Sequence, residues 1–258
     1  MRTIVVTGAA SGIGKTLTGI LTERGERVIG VDLHDADVNV DLTTLEGRTA
    51  LVDGVRELSG GTIDAIVANA GLALPIPKTV SVNYFGAVAT LEGLRPLLAG
   101  SAAPRASVTC SMASLYAPDD ELLGALSRGD EAAATARAGV LAADPQLGAL
   151  IYGTTKQALA KWVRRQAGTP EWAGAGIPLN GIAPGIVKTP MTKDMMASPE
   201  AVETLLQQVP MPLNGPMGPE VPARLHAWLV SEENTHLCGQ IVFVDGGSDV
   251  VIRGDATW

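Results

Sequence analysis

Short runs of apolar residues alternate with helical stretches along the 258-residue chain. The runs are apolar throughout, which is typical of parallel strands buried on both faces. Strand, helix and strand in repetition indicate a parallel sheet covered by helices on both sides. Strands are predicted at 3–6, 27–32, 38–41, 65–71, 107–111, 178–183 and 240–247. Helices are predicted at 16–22, 45–58 and 151–167. The pattern therefore predicts a single α/β domain over residues 1–258, a doubly wound parallel sheet of about seven strands.

Two segments do not fit a minimal sheet of this kind. Residues 115–150 are rich in alanine and hold two stretches predicted as short helices, so we interpret them as a helical insertion. Residues 186–218 are rich in methionine and proline, with a helix predicted near 198–208. Because long loops in a compact domain are usually functional, we expect this second segment to be a lid over a substrate.

A glycine-rich turn, TGAASGIG at 7–14, joins the first strand to the first helix. Glycines at Gly8, Gly12 and Gly14 let the backbone turn tightly and approach a pyrophosphate, and the helix N-terminus favours an anion. We interpret this turn, with Ser11 and Ile13, as the dinucleotide-binding turn of a Rossmann fold. The alternative is a tight strand–helix turn without a ligand.

Asp32 ends the second predicted strand and indicates which dinucleotide is bound. A carboxylate here can accept hydrogen bonds from the adenosine ribose hydroxyls, and it would repel a 2′-phosphate. No arginine or lysine stands at 33–36. NAD is therefore favoured over NADP, and Leu33 is expected to line the same site. Asp41 and Leu42, predicted to end the third strand, are expected to meet the adenine ring.

Tyr152 and Lys156 lie four residues apart on a predicted helix and therefore share one face. A tyrosine that acts as an acid or base near pH 7 must lower its pKa from about 10, which needs about 4 kcal/mol. An ammonium about 4 Å away supplies about that much at an effective dielectric near 20. We therefore predict that Lys156, helped by a nicotinamide cation, lowers the pKa of Tyr152. The alternative is a surface tyrosine stacked on a lysine stem.

Three further polar residues occupy positions that suit a site. Ser111 ends a predicted strand at the edge where such sheets bind ligands, and its hydroxyl could orient a carbonyl or alcohol oxygen. It could equally cap the next turn. Asn69 ends another strand and could support the cofactor. Asn83 lies on a predicted helix whose interior gains nothing from asparagine, so we expect it to order a water or the lysine.

Taken in order, these residues resemble the short-chain dehydrogenase/reductase family, of the compact type. The resemblance covers nearly the whole chain and also includes ANAG at 68–71, APG at 183–185 and VDGG at 244–247. It implies that Asn83, Ser111, Tyr152 and Lys156 form a catalytic tetrad. It also implies that the segment after APG holds the nicotinamide. The cofactor-binding residues that it adds are Ala70, Gly71, Pro184, Gly185, Ile186, Val187 and Thr189.

The spacing between Ser111 and Tyr152 departs from the compact pattern, because 41 positions separate them where compact members have far fewer. With VSVNYFGA at 80–87, this resembles the bacterial 3α-hydroxysteroid dehydrogenase/carbonyl reductase branch, near the coniferyl-alcohol dehydrogenases. In the family, helices beside this insertion commonly form the main subunit interface. We therefore expect a homodimer with non-standard packing, with a homotetramer as the alternative.

The expected reaction is reversible hydride transfer between NAD(H) and a secondary alcohol or ketone. The residues predicted to bind substrate are Leu74, Leu115, Tyr116, Met191 and Met195. Their apolar side chains favour a bulky guest, such as a hydroxysteroid, a ketosteroid or an alicyclic or aryl ketone. Alternatives are a lid that only packs on the core, a carbonyl reductase of terpenoid or aryl substrates, and a non-catalytic NAD-binding sensor. An enoyl reductase would need a wider Tyr–Lys gap. The terminal Trp258 could reach an active site or be an ordinary tail.

Composition limits which cellular compartment and which classes of binding partner are expected. The net charge of −8, from 27 acidic and 19 basic residues, would repel phosphate backbones and anionic lipid, so neither nucleic acid nor a membrane is expected. Two cysteines far apart, Cys110 and Cys238, have no metal-ligand spacing and favour a reducing cytoplasm. No apolar stretch is long enough for a signal-peptide core or a membrane span. We expect a cytoplasmic protein without a bound metal.

Overall fold

In the computed structural model, which describes residues 1–256, seven parallel strands form one sheet in the order β3-β2-β1-β4-β5-β6-β7. The strands are β1 (Thr3–Thr7), β2 (Arg27–Asp32), β3 (Val38–Asn39), β4 (Ala65–Ala68), β5 (Arg105–Thr109), β6 (Leu179–Pro184) and β7 (Ile241–Val244). The predicted doubly wound sheet is confirmed. Trp258, for which a place in an active site was left open, lies outside the described residues.

Helices cover both faces of this sheet. They are α1 (Gly12–Glu23), α2 (Leu45–Ser59), α3 (Lys78–Val80), α4 (Ala87–Leu94), α5 (Asp120–Arg128), α6 (Glu131–Ala142), α7 (Gly148–Gln166), α8 (Pro199–Gln208), α9 (Glu220–Leu229) and α10 (Ser248–Arg253). A π-helical stretch, Ser81–Gly86, joins α3 to α4. Because alternate strand residues point to opposite faces, Ile4 and Val6 pack against Leu17 of α1. Val5 packs on the other face, with Leu51 of α2.

The third strand is shorter than predicted. It ends at Asn39, so Asp41 and Leu42 lie in the loop before α2 rather than at a strand end. The cause is local. The Asp41 carboxylate accepts a hydrogen bond from the Thr43 amide at 2.8 Å, which turns the chain, and Thr44 then caps α2.

The alanine-rich segment forms the two expected helices, α5 and α6. Asp119 caps α5 by accepting from the Leu122 amide at 2.8 Å, and it also binds Arg137 of α6 at 2.6 Å. These contacts tie the two helices together. The methionine-rich segment contains α8, and Ile186, Leu205 and Met211 form a small apolar cluster of their own there.

Among residues 1–256, no helix has both the length and the apolar character needed to cross a membrane.

Candidate active site

A cleft of about 400 Å³ opens at the carboxyl ends of the strands. It lies where β1 has β2 on one side and β4 on the other, the switch point at which such sheets bind ligands. The predicted site residues that line it are Gly8, Ser11, Gly12, Ile13, Asp32, Leu33, Asp41, Leu42, Asn69, Ala70, Gly71, Ser111, Tyr152, Lys156, Pro184, Gly185, Val187, Thr189 and Met191. Residues from widely separated parts of the chain therefore meet at one edge of the sheet.

The glycine-rich turn leaves no room for side chains. A Cβ at Gly14 would lie 2.0 Å from the carbonyl oxygen of Gly8, and Gly8 itself has a φ of +70°. Gly14 is buried beneath the cleft, where α1 packs on the turn. The side chain of Ser11 does not cap α1, so it leaves the first helix amides free for another acceptor. The turn thus fits a pyrophosphate at the helix N-terminus.

Two carboxylates stand on the far side of this turn. Asp32 ends β2, and its oxygens accept from the Ala10 amide at 2.9 Å and the Leu33 amide at 2.7 Å. These bonds fix the carboxylate beside the glycine turn. Asp41 has a lowered pKa, caused mainly by its hydrogen bonds from Thr43 and in part by the charge of Lys78. Both acids line the cleft.

The groups with candidate acid–base chemistry meet at the other end. Lys156 and Tyr152 lie on α7, with the ammonium 5.8 Å from the centre of the phenol ring. The ammonium donates to the main-chain oxygen of Thr109, the last residue of β5, at 2.8 Å. Ser111 follows β5, and its hydroxyl accepts from the Ala113 amide at 3.2 Å. Ser111 therefore caps the next turn and also lines the cleft, and its role in orienting a substrate oxygen stays a prediction.

The pKa of Tyr152 differs from the expectation. Burial raises it above the usual 10, although a hydrogen bond with Ser111 acts in the opposite direction. Burial also lowers the pKa of Lys156 from 10.5 to about 8. The chain's own groups therefore do not give Tyr152 the lowered pKa that was expected, and the combined effect of Lys156 and a bound nicotinamide cation stays a prediction. The ammonium donates to Thr109 rather than to the phenol, and burial is the largest influence on the pKa of the phenol.

Asn83 does not line the cleft but lies directly behind it, fully buried in the π-helical stretch. Its side chain accepts from the Leu72 amide at 2.8 Å and donates to the Leu72 oxygen at 2.9 Å. A Cβ at Gly71 would lie 3.2 Å from Oδ1 of Asn83 and 3.5 Å from Nζ of Lys156. Asn83 was expected to order the lysine or a water. In the structure it holds the loop after β4, beside the lysine.

Some of the residues predicted to bind substrate line a cavity, and others do not. Met191 lines the cleft, and Leu74 lines a second cavity of about 290 Å³ that shares Tyr152 with it. Within residues 1–256, neither cavity is lined by Leu115, Tyr116 or Met195, against the expectation. For Tyr116 the reason is its hydroxyl, which donates to the main-chain oxygen of Gln208 at the end of α8. Ile186, expected at the nicotinamide, is not among the described residues that line the cleft and packs instead with Leu205 and Met211.

The sequence analysis missed several residues of the cleft. For Thr109 a signal existed, because Ser107 and Thr109 place hydroxyls on one face of a buried strand. For Lys78 there was no signal, since a lone lysine at a helix start is common on any surface. The lining residues not anticipated are Val31, Val40, Thr43, Leu72, Lys78, Val82, Thr109, Cys110 and Thr192.

Comparisons with known proteins agree with this geometry. Residues 8–249 match the family described as Enoyl-(Acyl carrier protein) reductase. The chain is 37% identical over 262 residues to the 3-alpha-hydroxysteroid dehydrogenase/carbonyl reductase of Comamonas testosteroni, with 98% of both chains covered. It is 30% identical over 266 residues to the cis-4-hydroxycyclohexanecarboxylate dehydrogenase of Sinomonas cyclohexanicum, with 97% of each covered.

A solved structure resembles the whole chain. It is the crystal structure of 3-alpha-hydroxysteroid dehydrogenase from Pseudomonas sp. B-0831 complexed with NADH, which is 35% identical. The two superpose with a TM-score of 0.87, covering 98% of this chain and 99% of that one. Because sequence and fold agree from end to end, this chain belongs to the short-chain dehydrogenase/reductase family.

Proposed function

We propose that the protein interconverts a secondary alcohol and a ketone by hydride transfer with NAD(H). One observation carries this proposal. A single cleft places Ser111, Tyr152 and Lys156 at one end and the glycine turn with Asp32 at the other. A dinucleotide that spans the cleft would therefore reach from an anion site to a group of acid–base side chains. When bound, the nicotinamide supplies or takes up the hydride.

The residues present fit the dinucleotide. The Gly14–Gly8 contact, which excludes even a methyl group, packs α1 tightly on the turn, so the helix N-terminus would face a pyrophosphate. Asp32 would accept from the ribose hydroxyls, and its charge disfavours the 2′-phosphate of NADP. The remaining residues that we assign to the cofactor are Ser11, Gly12, Ile13, Leu33, Asp41, Leu42, Asn69, Ala70, Gly71, Pro184, Gly185, Val187 and Thr189, all in the cleft.

In this proposal Tyr152 moves the proton and Ser111 orients the substrate oxygen. Because burial raises the pKa of Tyr152, the phenol is protonated at neutral pH and is ready to donate to a ketone oxygen. In the opposite direction its phenolate takes the hydroxyl proton of an alcohol. Lys156, with a pKa of about 8, remains mostly charged at pH 7 and stabilises that phenolate. Asn83 keeps the loop at Leu72 in place beside Lys156.

We further propose a bulky apolar substrate with a ring alcohol or ring ketone, such as a hydroxysteroid. The second cavity supports this, because it adjoins Tyr152 and has mostly apolar walls from Leu74, Pro75, Ala142 and Ala149. The two relatives named above act, by their names, on alicyclic alcohols. Terpenoid and aryl ketones share the needed shape and chemistry. Leu115, Tyr116 and Met195 stay in this proposal as residues that a lid movement would bring to the substrate.

Two properties of the whole molecule complete the proposal. We propose a homodimer, since the helices α5 and α6 cover part of the surface beside α7 and limit packing there. We also propose a reducing, cytoplasmic setting, in keeping with two cysteines that are free, Cys110 and Cys238. A light-scattering mass for a tetramer would contradict the first of these.

The test is a steady-state screen of steroid, terpenoid, alicyclic and aryl ketones, run in parallel with NADH and NADPH. We expect turnover of at least one ring ketone, with a higher kcat/KM for NADH. An enoyl thioester serves as a comparison substrate. Turnover of the enoyl thioester alone would refute the proposed reaction. NADH binding, followed by fluorescence, without turnover of any carbonyl compound would instead favour a sensor.

A further inference from the structure

A histidine outside the cleft, His226, forms hydrogen bonds with β5, the strand whose last residue binds Lys156. His226 of α9 is fully buried against β5. Its Nδ1 lies 2.8 Å from the Ser107 hydroxyl, and its Nε2 lies 2.8 Å from the Thr109 hydroxyl. Ser107 and Thr109 are two residues apart on a strand, so both hydroxyls face the same helix. Both ring nitrogens therefore have partners, and the ring orientation is determined.

The proton positions follow from the neighbouring groups. Asn69 must direct its Nδ2 at the Thr7 carbonyl, 3.2 Å away, because that oxygen can only accept. Its Oδ1 therefore faces the Thr109 hydroxyl, which donates to it at 2.9 Å. A hydroxyl has one proton, so Thr109 must accept from His226. His226 thus carries its proton on Nε2, and its bare Nδ1 accepts from Ser107. The ring is neutral, in agreement with burial, which lowers the pKa of His226 to about 3.

This chain of bonds ends at two places in the proposed site. The main-chain oxygen of Thr109 accepts from the ammonium of Lys156 at 2.8 Å. Asn69 lies against the glycine turn, because a Cβ at Gly8 would be 3.0 Å from its Nδ2. Thr109 is thus held from one side by His226 and in turn holds groups at both ends of the cleft.

We infer that His226 is a positioning residue for the active site, acting through the Thr109 hydroxyl on Lys156 and Asn69. The inference rests on the proposed function for its effect on catalysis, but the hydrogen-bond order can be tested without any activity. An apolar side chain would fill the same space between α9 and β5. It would leave the Thr109 oxygen one hydrogen bond short and free the end of β5 to shift.

The first experiment reads the tautomer by NMR of protein labelled with ¹⁵N-histidine. The chain contains three histidines, and the spectrum of His226→Phe assigns the signal of the lost one. At pH 7.5 we expect the His226 signals to show a proton on Nε2 and none on Nδ1. A proton on Nδ1, or on both nitrogens, would overturn the inference.

The second experiment compares variants along the chain of bonds. Thr109→Val removes the hydroxyl at constant shape, and Thr109→Ser restores it. Ser107→Ala is the matched control, because it removes a bond to the same ring on the side away from the site. Kinetics are measured at a temperature well below the thermal unfolding midpoint of each variant, so that partial unfolding does not lower the rate.

We expect Thr109→Val and His226→Phe each to lower kcat by roughly tenfold to a hundredfold. The double variant should be no worse than the poorer single variant, because both changes break the same link. Thr109→Ser should recover most of the rate that Thr109→Val loses, and Ser107→Ala should stay near the wild-type rate. Equal losses in Ser107→Ala and Thr109→Val, or no loss in His226→Phe, would reduce His226 to a packing role.

The two proposals fail in distinguishable ways. If the wild-type chain turns over no carbonyl compound, the proposed function fails, and the NMR result still decides the proton positions. The NADH dissociation constant then replaces kcat as the readout, and the same ranking of variants is expected through Asn69. An unchanged dissociation constant in both Thr109→Val and His226→Phe would refute the positioning role.

Discussion

The guanidinium of Arg48 binds both carboxylate oxygens of Glu131, at 2.6 and 2.7 Å, and so joins α2 to the inserted helix α6. The same side chain donates to the main-chain oxygen of Leu42 at 2.8 Å and to that of Ser81 at 3.1 Å. Arg48 is therefore a buried junction between the inserted helices, the loop on the proposed adenine side and the π-helical stretch that carries Asn83.

Removing the carboxylate of this pair should destabilise the protein. We expect Glu131→Ala to lower the free energy of unfolding by about 1–3 kcal/mol, less than for a fully buried pair because Glu131 remains 35% exposed. The exposed pair of Asp53 with Arg56 is the control, and Asp53→Ala should cost less than about 0.5 kcal/mol. Urea unfolding at pH 7 measures both. Equal costs for the two variants would contradict a special role for Arg48.

The same pair has a defined pH dependence. Burial alone would raise the pKa of Glu131, but its hydrogen bonds and charge attraction to Arg48 outweigh burial and hold the pKa below 4.5. The stabilisation is therefore complete above pH 4.5 and is lost as the pH falls through the folded-state pKa. The difference between wild type and Glu131→Ala should shrink as urea unfolding is repeated toward pH 3.

Two alanine substitutions in α1 distinguish the requirement for glycine at the turn from the general effect of alanine in a helix. Gly14→Ala places a methyl group 2.0 Å from the Gly8 oxygen, so the turn must shift, and we expect a loss of about 1–3 kcal/mol in stability. NADH affinity should fall in parallel, by fluorescence titration. Gly19→Ala is the control, because no atom lies within 4 Å of the new methyl group. Alanine there should stabilise the helix by about 0.5–1 kcal/mol. An unaltered NADH affinity in Gly14→Ala would argue against the assigned pyrophosphate site.

Tyr152→Phe should keep NADH binding and lose nearly all turnover, because the phenol that moves the proton is gone. The measurement pairs NADH titration with kcat on the best ketone of the screen. Tyr84→Phe is the matched control, since Tyr84 is buried in the π-helical stretch and is not among the described residues that line the cleft. Retention of more than about a tenth of the wild-type rate would remove Tyr152 from the acid–base role.

The buried ammonium of Lys156 should lower the free energy of unfolding at neutral pH. Burial lowers its pKa from 10.5 to about 8, so the folded state binds this proton less tightly than the unfolded state. The destabilisation is complete below about pH 8, and stability recovers as the pH rises from there toward 10.5. Lys156→Met should therefore raise the free energy of unfolding at pH 7, on the order of 2–3 kcal/mol, while activity is lost.

Urea unfolding of the nucleotide-free protein at pH 7 and pH 9.5 checks this, and the gain should be smaller at the higher pH. Lys161→Met on the same helix is the control, because Lys161 is exposed and should change stability by less than about 0.5 kcal/mol. A Lys156→Met protein less stable than wild type at pH 7 would show that the bond to Thr109 outweighs the cost of burying the charge.

Asp32→Ala should relax the choice of cofactor. Removing a charge that would face the 2′-phosphate should raise the NADPH-to-NADH ratio of kcat/KM by about tenfold. The Ala10 amide also loses its acceptor, so some loss with NADH is expected as well. An unchanged ratio would place the adenosine ribose elsewhere, and Asp53→Ala provides the charge-matched control.

The sheet and its ligand edge were predictable because strands buried on both faces leave long apolar runs, and because Gly14 cannot carry a side chain against Gly8. The end of β3 was not, since one Asp41–Thr43 hydrogen bond turns the chain early. The pKa of Tyr152 and the position of Tyr116 also escaped prediction. Both depend on contacts between separate parts of the chain, α7 with β5 and Tyr116 with the end of α8, which spacing along one helix does not contain. His226 lies 70 residues beyond Lys156, and only the fold brings them to the same strand.

The π-helical stretch Ser81–Gly86 constrains how many residues the chain can have at this point. Each π-type turn accommodates an additional residue, so deleting one there would restore ordinary α-helical winding. Such a deletion would swing Asn83 by about 100° about the helix axis and break its paired bonds to Leu72. An engineered variant must therefore keep both the Asn83 side chain and the number of residues in this stretch for the amide to reach its loop.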